Sequence, residues 1–377
     1  LVNGRDKIMD SEPGSEDKMN TPDPLNQEAD LHSGSTGRYV FNFNNITNLV
    51  INAGSTPDVQ GAGSLPGVQE EEKKLRFDEV YSNRRYKGYK PAFLGVDIPV
   101  PEVKKSRMEE IHKKVDTEEA LILKYYHYSL VMNEKFRLQM WSAVNVDYDP
   151  VLKPTKERED FGDGGNSWRP DPRIPVEIQL TNEEFYKPAT QIDRGHMVRR
   201  DDSCYGNTEL EIEYANSDTF HWTNCTPQHE GFNQSRQAGL WGRLEDAVKE
   251  GLQGDDTKVS IFAGPVLKED EDRMYNGIYY PVKFWKVIAA IDEEEGLLAY
   301  GFILDQSKVV DRRGLEARFD FSEFRNQQVS LKKIEEEAGI IFPKVLKEAD
   351  IFVKNNIPLE QTEEFESKEG IMIQVKR

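Results

Sequence analysis

Among six histidines, His196 stands in the setting best suited to chemistry. It closes the run Asp193-Arg194-Gly195-His196 and precedes Arg199-Arg200-Asp201-Asp202. A histidine titrates near neutrality, so it can take a proton from water under ordinary conditions. Hydrolysis of a phosphodiester needs that transfer and two further things. Charge on the phosphorane must be neutralised, and the leaving oxygen must be stabilised. A hard cation held by oxygen ligands suits both tasks. Mg2+ often keeps most of its waters and takes one or two protein ligands, so a single well-placed Asn can be enough. Asn233, in Gly231-Phe232-Asn233-Gln234 just before a helical stretch, fits that role, although an Asn in that position is ordinarily an N-cap. Of the other histidines, His32 and His112 read as surface residues and His127 as a structural residue in a strand pattern. His221 and His229 flank the Asn224–Pro227 turn, where they could line the site.

These residues need a frame. Residues 124–132 and 138–146 read as two strands joined at Asn133-Glu134-Lys135. Leu240, Leu244, Val248 and Leu252 recur at four-residue spacing, which predicts an amphipathic helix over 237–252. Val259–Pro265 is a short buried strand, and residues 280–291 and 297–304 predict a hairpin across Asp292–Gly296. Residues 322–350 read as two short helices closing the domain, and there is no internal repeat. The fold class is therefore mixed α+β, an antiparallel sheet with packed helices.

The N-terminal part differs in character. Residues 1–75 are rich in Gly, Ser, Pro, Asp and Asn and are expected to form a flexible tail, ahead of a globular domain over 76–377. Within the tail, residues 39–52 are uncharged, lack Pro and mix β-formers with Asn. That composition suits a strand, either packed on the chain's own core or pairing with a partner or a second copy of the chain.

The charged content is 31% and the hydrophobic content 37%, low for one compact globule of 377 residues. The net charge of −19 argues against a generic nucleic-acid coat protein, which gains affinity through basic surface. An enzyme needs only a locally positive cleft, and a bound cation supplies part of that charge. Basic residues do gather near the motif, as Arg169, Arg173, Arg194, Arg199, Arg200, Arg236 and Arg243. Two cysteines, Cys204 and Cys225, make neither a disulfide framework nor a zinc site, and read as free thiols in a reducing compartment. No apolar run approaches the roughly 20 residues that span a bilayer, so no membrane association is expected. Leu1–Asp6 lacks the basic and apolar regions of a signal peptide, which gives a cytoplasmic expectation, with the native start left open by the missing initiator Met.

Asp-Arg-Gly-His alone is a weak signal; the ordered series of motifs C-terminal to it is a strong one. Ala215–Phe220, Thr223-Asn224-Cys225-Thr226-Pro227-Gln228, Phe232-Asn233-Gln234 and Trp241-Gly242-Arg243-Leu244-Glu245 come in sequence, with Phe262–Pro265 and Phe284–Val287 beyond them. From about Gly88 to about Phe342 this resembles the DNA/RNA non-specific endonucleases, which have a ββα-metal core. The resemblance implies a Mg2+-dependent enzyme (Mn2+ able to substitute) that cuts DNA, RNA or both and leaves 5′-phosphate ends. It implies His196 as general base, Asn233 as the sole direct protein ligand of the metal, Glu245 as an orienter of water at the metal, and Asn224 as a hydrogen-bonding support. Arg194 would help with phosphate or scaffold, and Asp193 would hold the loop or orient its neighbours. Arg169, Arg173 and Arg199 are the candidate substrate contacts, the first two competing for the family's transition-state arginine. Residues 235–240 are an insertion relative to the shorter members, to be absorbed before or within the helix. A nuclease endangers its own cell, so control by assembly or an inhibitor is expected, for example in a bacterial defence system. A catalytically silent relative that binds nucleic acid or a partner is the alternative.

Overall fold

The computed structural model describes residues 39–43, 46–51, 88–161, 167–252, 257–307, 324 and 327–354, and divides the chain into two compact units, 1–68 and 69–377. In the first unit, β1 (Tyr39–Phe43) pairs antiparallel with β2 (Ile46–Ile51), with Tyr39 opposite Ile51 and Phe41 opposite Leu49. The uncharged segment is thus a hairpin and not a single strand. The rest of the expected tail, and residue 52, lie outside the described residues.

In the second unit the strands are β3 (Glu102–Val103), β4 (Leu123–Lys124), β5 (Tyr128–Asn133), β6 (Leu138–Asp147), β7 (Ile192–His196), β8 (Cys225–His229), β9 (Lys258–Val266), β10 (Arg273–Tyr275), β11 (Ile278–Tyr280), β12 (Lys283–Asp292), β13 (Gly296–Asp305) and β14 (Ile340–Ile341). Its α-helices are α1 (Arg200–Ser203), α2 (Glu209–Asp218), α3 (Glu230–Asn233), α4 (Leu240–Gly251), α5 (Leu331–Ala338), α6 (Lys344–Glu348) and α7 (Ile351–Lys354). Six strands form one sheet of order β13-β12-β9-β6-β5-β4, every neighbouring pair antiparallel. The class is α+β, as the hydrophobic patterning predicts.

Both faces of this sheet are covered, which is why its central strands read as long apolar runs. Along β12, Phe284, Ile288 and Ala290 pack with Trp241, Leu244 and Val248 of α4. Trp285, Val287 and Ala289 belong to the opposite cluster, with Leu331, Ile334 and Ala338 of α5. Each Phe, Leu, Ile or Val among them, fully buried, contributes about 1.5–3 kcal/mol. Lys286 falls on the Phe284 face by the two-residue period of a strand. The β12–β13 turn sits where expected: Asp292 Oδ1 accepts from the backbone N–H of Glu294 at 2.8 Å and of Glu295 at 2.9 Å, and Gly296 takes φ +75°. Among the described residues, no helix is long and apolar enough to cross a membrane.

The motif lies on a separate two-stranded ribbon. Strands β7 and β8 pair antiparallel, with Asp193 opposite Gln228 and His196 opposite Cys225. The chain then runs straight into α3, a 3-10 turn over Ser235–Gln237, and α4. Residues 235–240 are absorbed before the helix, in that 3-10 turn and in Ala238, which takes the left-handed φ of +58°. Gly242 lets the first turn of α4 come close: a Cβ there would lie 2.5 Å from the carbonyl oxygen of Asn233. Ribbon and helix thus make a ββα unit that fixes Asn233 against the helix.

Candidate active site

Asp193 organises the junction between ribbon and helix. Its Oδ2 accepts from Asn233 Nδ2 at 2.9 Å and from Gln234 Nε2 at 2.8 Å. An ionised carboxylate has only acceptors, so the amide nitrogens must face it. The carbonyl Oδ1 of Asn233 is then turned away from Asp193, and it is the atom a hard cation would take. Asn233 is the last residue of α3, so the N-cap reading fails. The cap of α3 is His229, whose Nδ1 accepts from Gly231 N–H at 3.1 Å.

Asn233 lines a cleft of about 900 Å3 together with Tyr148, Lys153, Lys156, Arg199, Arg200, Arg236, Glu245 and Lys249. Six cationic side chains line it against three acidic ones, Glu157, Asp201 and Glu245, so it is locally basic in a chain of charge −19. Glu245 comes from the second turn of α4. Its Oε1 accepts from Lys286 Nζ at 3.0 Å, and its Oε2 lies 3.8 Å from Arg199 Nε. Burial pushes this carboxyl up, and Lys286 and Arg199 work against that shift. Arg199 also donates to Asp246 Oδ1 at 2.6 Å. Burial disfavours its charge, but Glu245 and Asp202 outweigh that and hold it above the usual range. Lys153 donates to the Asp201 carbonyl at 2.6 Å over the Tyr148 ring; burial brings its ammonium down to about 8, against Asp202 and Asp201. Among the described residues no three His, Cys, Asp or Glu side chains converge as a metal cluster. The lining instead offers the Asn233 amide oxygen together with the carboxylate of Glu245, hard donors that fit a largely hydrated Mg2+.

His196 ends β7. Its ring lies 4.5 Å from that of Trp168 and 5.0 Å from that of Phe220, the latter edge-on. Asn224 fixes the backbone directly after it. Its Oδ1 accepts from Val198 N–H at 2.9 Å, its Nδ2 donates to Val198 O and Thr219 O, both at 3.0 Å, and its carbonyl accepts from Met197 N–H at 3.1 Å. His196 is half-buried with Nε2 shielded from solvent, and it is not among the described residues that line the cleft. The structure therefore brings Asn233, Glu245 and Arg199 into one lining, and places His196 on the β7–β8 ribbon and Asn224 in the turn just before β8, outside that lining.

The remaining expected site residues lie elsewhere. Arg173 is bound to Asp171 at 2.5 Å, donates to the Lys124 carbonyl at 2.7 Å and sits over Tyr125. Arg169 donates to the Ser217 carbonyl at 2.6 Å and to its hydroxyl at 2.5 Å. Both brace the scaffold, and neither lines the cleft. Arg194 is exposed, 3.5 Å from Asn182 Oδ1, and also off the cleft. His221 is fully buried, with Nδ1 against the Asp218 carbonyl at 2.7 Å, so it does not line the site either. His127 is structural, as expected: its Nε2 meets the Tyr205 carbonyl at 2.9 Å and its ring stacks on Tyr205. Both cysteines are buried free thiols. Sequence reasoning missed Lys153 and Lys156, which carry no local signal. It also passed over Lys286, whose signal is plain: a lysine in the middle of a buried apolar strand.

The family model described as DNA/RNA non-specific endonuclease matches residues 107–349. Among curated proteins, the uncharacterized protein y4fB of Sinorhizobium fredii (strain NBRC 101917 / NGR234) is 34% identical over 280 residues, 70% of this chain and 40% of that protein. The chain thus spans less than half the length of that relative. Among solved structures, a chain of the EndoG/EndoGI complex, described with the mechanism of EndoG inhibition, aligns with a TM-score of 0.45 at 20% identity, covering 63% of this chain and 89% of that one.

Proposed function

The chain belongs to the DNA/RNA non-specific endonuclease family, and from that membership we propose that it is a divalent-metal-dependent endonuclease acting on DNA, RNA or both. One observation carries the metal assignment. Asp193 fixes the Asn233 amide so that its carbonyl oxygen is left for a cation, in a cleft with basic walls. Mg2+ held there, with Mn2+ as a substitute, would neutralise charge on the phosphorane and stabilise the leaving oxygen. His196 takes the proton of the attacking water, from a ring held by Trp168 and Phe220 on a backbone fixed by Asn224. Glu245 accepts hydrogen bonds from water in the cleft. Arg199, Arg200, Arg236, Lys153 and Lys156 grip phosphates, contacts that carry little sequence information. The products carry 5′-phosphates.

The test is cleavage of plasmid DNA and of single- and double-stranded RNA, with Mg2+ and with EDTA. His196→Ala is expected to lose roughly 2–4 orders of magnitude in rate, the usual size of a general-base contribution. Full activity in that variant overturns the assignment. The shielding of His196 Nε2 favours one second reading, a relative that binds nucleic acid without cutting it. EDTA-sensitive cleavage by the wild-type chain rules that out. We also propose that the β1–β2 hairpin is an assembly element through which a cytoplasmic nuclease of this kind, such as a defence effector, is held in check or switched on.

A further inference from the structure

Lys286 is a charged residue set in the apolar interior of the central sheet. It is 1% exposed, in the middle of β12, opposite Ala263 of β9 and Phe302 of β13. Its strand face is otherwise apolar, with Phe284 two residues before it and Ile288 two after it. Taking an ammonium out of water costs several kcal/mol, and a hydrophobic residue of similar volume is often as stable or more so. A lysine kept here therefore asks for a reason beyond stability.

Its surroundings supply one. The ammonium lies 4.0 Å from the centroid of the Trp241 ring and 3.0 Å from Glu245 Oε1. Trp241 and Glu245 are four residues apart on α4, so they stand on one face of the helix and close over Lys286 together. With Oε1 engaged from below, the remaining oxygen of Glu245 is left toward Arg199 and the cleft that Asn233 also lines. The rotamer of Glu245 is thus set by the central sheet and not by solvent.

We infer that Lys286 is a positioning residue of the hydrolytic site, acting through Glu245: its buried ammonium anchors one carboxylate oxygen and presents the other to the cleft. This rests on the nuclease reading. A neutral side chain at 286 would remove the shorter of the two ion pairs of Glu245 and leave Arg199 to draw the carboxylate out of its present orientation. Outer-shell partners of this kind typically change activity or metal affinity by about 10–100-fold.

The test compares Lys286→Met, Glu245→Gln and the double variant, each with a thermal melt, by cleavage rate as a function of Mg2+ concentration. Each single variant is expected to cleave roughly 10–100-fold more slowly than wild type, with the half-saturating Mg2+ concentration raised. The double variant is expected to match Glu245→Gln, because Lys286 has nothing left to position. A folded Lys286→Met protein with wild-type rate and Mg2+ dependence overturns the inference, as does a double variant slower by the product of the two single losses. If Lys286→Met does not fold, the double variant, which leaves no charge of this pair unpaired, decides alone by the same comparison with Glu245→Gln. Absence of metal-dependent cleavage by wild type would instead refute the nuclease reading, so the two failures are distinguishable.

Discussion

Asp193 offers only acceptors, and that one-sidedness decides how Asn233 is presented. An Asn amide can turn over at little cost unless something holds it, and only one of its two orientations gives a cation an oxygen. Asp193 holds that orientation and steadies Gln234 with the same oxygen. Asp193→Ala is therefore expected to leave the fold intact, to cost about 10–100-fold in rate, and to raise the Mg2+ requirement. A cleavage series against Mg2+ checks this; an unshifted midpoint would mean that amide orientation does not matter. At this scale the sequence is informative where a residue's setting depends on local order, as for Asn233, which stands between the β7–β8 ribbon and α4. It is uninformative where a side chain's fate depends on a distant partner. Arg169 and Arg173 look available from their positions, but Ser217 and the buried Asp171 have claimed them. The Asp171–Arg173 spacing hinted at this pair, whereas Ser217 is 48 residues from Arg169.

Elements were legible in proportion to how much of their signal is local. The β12–β13 hairpin, with Asp292 and Gly296 at its turn, and the apolar stripe of α4 declare themselves within one continuous stretch each. The β7–β8 ribbon does not. Its two strands are separated by α1 and α2, and β7, with Asp193 and Arg194 in it, has no alternating apolar pattern. The part of the cleft around Lys153 was equally hidden, because only tertiary packing brings it into one lining with Asn233 and Glu245. The β1–β2 hairpin presents a different case. A two-stranded hairpin is marginal alone in water, and among the described residues no third strand pairs with either of its edges. Residues 39–43 and 46–51 bear no charge that would keep copies of the hairpin apart. Removing residues 1–75 is expected to lower the mass measured in solution to that of a monomer while the nuclease unit stays folded. An unchanged oligomeric state, by light scattering, would sink the assembly proposal.

At the scale of the whole molecule, three buried titratable groups tie stability to pH. Burial pushes the Asp218 carboxyl up to about 7, even though Tyr126 N–H donates to it at 2.8 Å and Arg169 and Arg173 lie near. Burial pushes His127 down to about 4 and His221 down to about 3. The signs are opposite. A carboxyl raised on folding binds its proton more tightly in the folded chain, so its contribution is full below about pH 4 and is lost as pH rises to about 7. An imidazole depressed on folding contributes fully above about pH 6.5, its unfolded value, and loses that contribution as pH falls toward its folded value. Between about pH 6.5 and 4 the two imidazoles therefore lower stability on acidification, while the Asp218 carboxyl raises it. Asp218→Asn keeps an acceptor for Tyr126 and removes the carboxyl's ionisation cost. It should be more stable than wild type at pH 8, with an advantage that shrinks on acidification and is gone near pH 4. Denaturant midpoints of both proteins at pH 8, 6 and 4.5 check this. A difference that stays constant across the three would show that Asp218 is not the group that titrates.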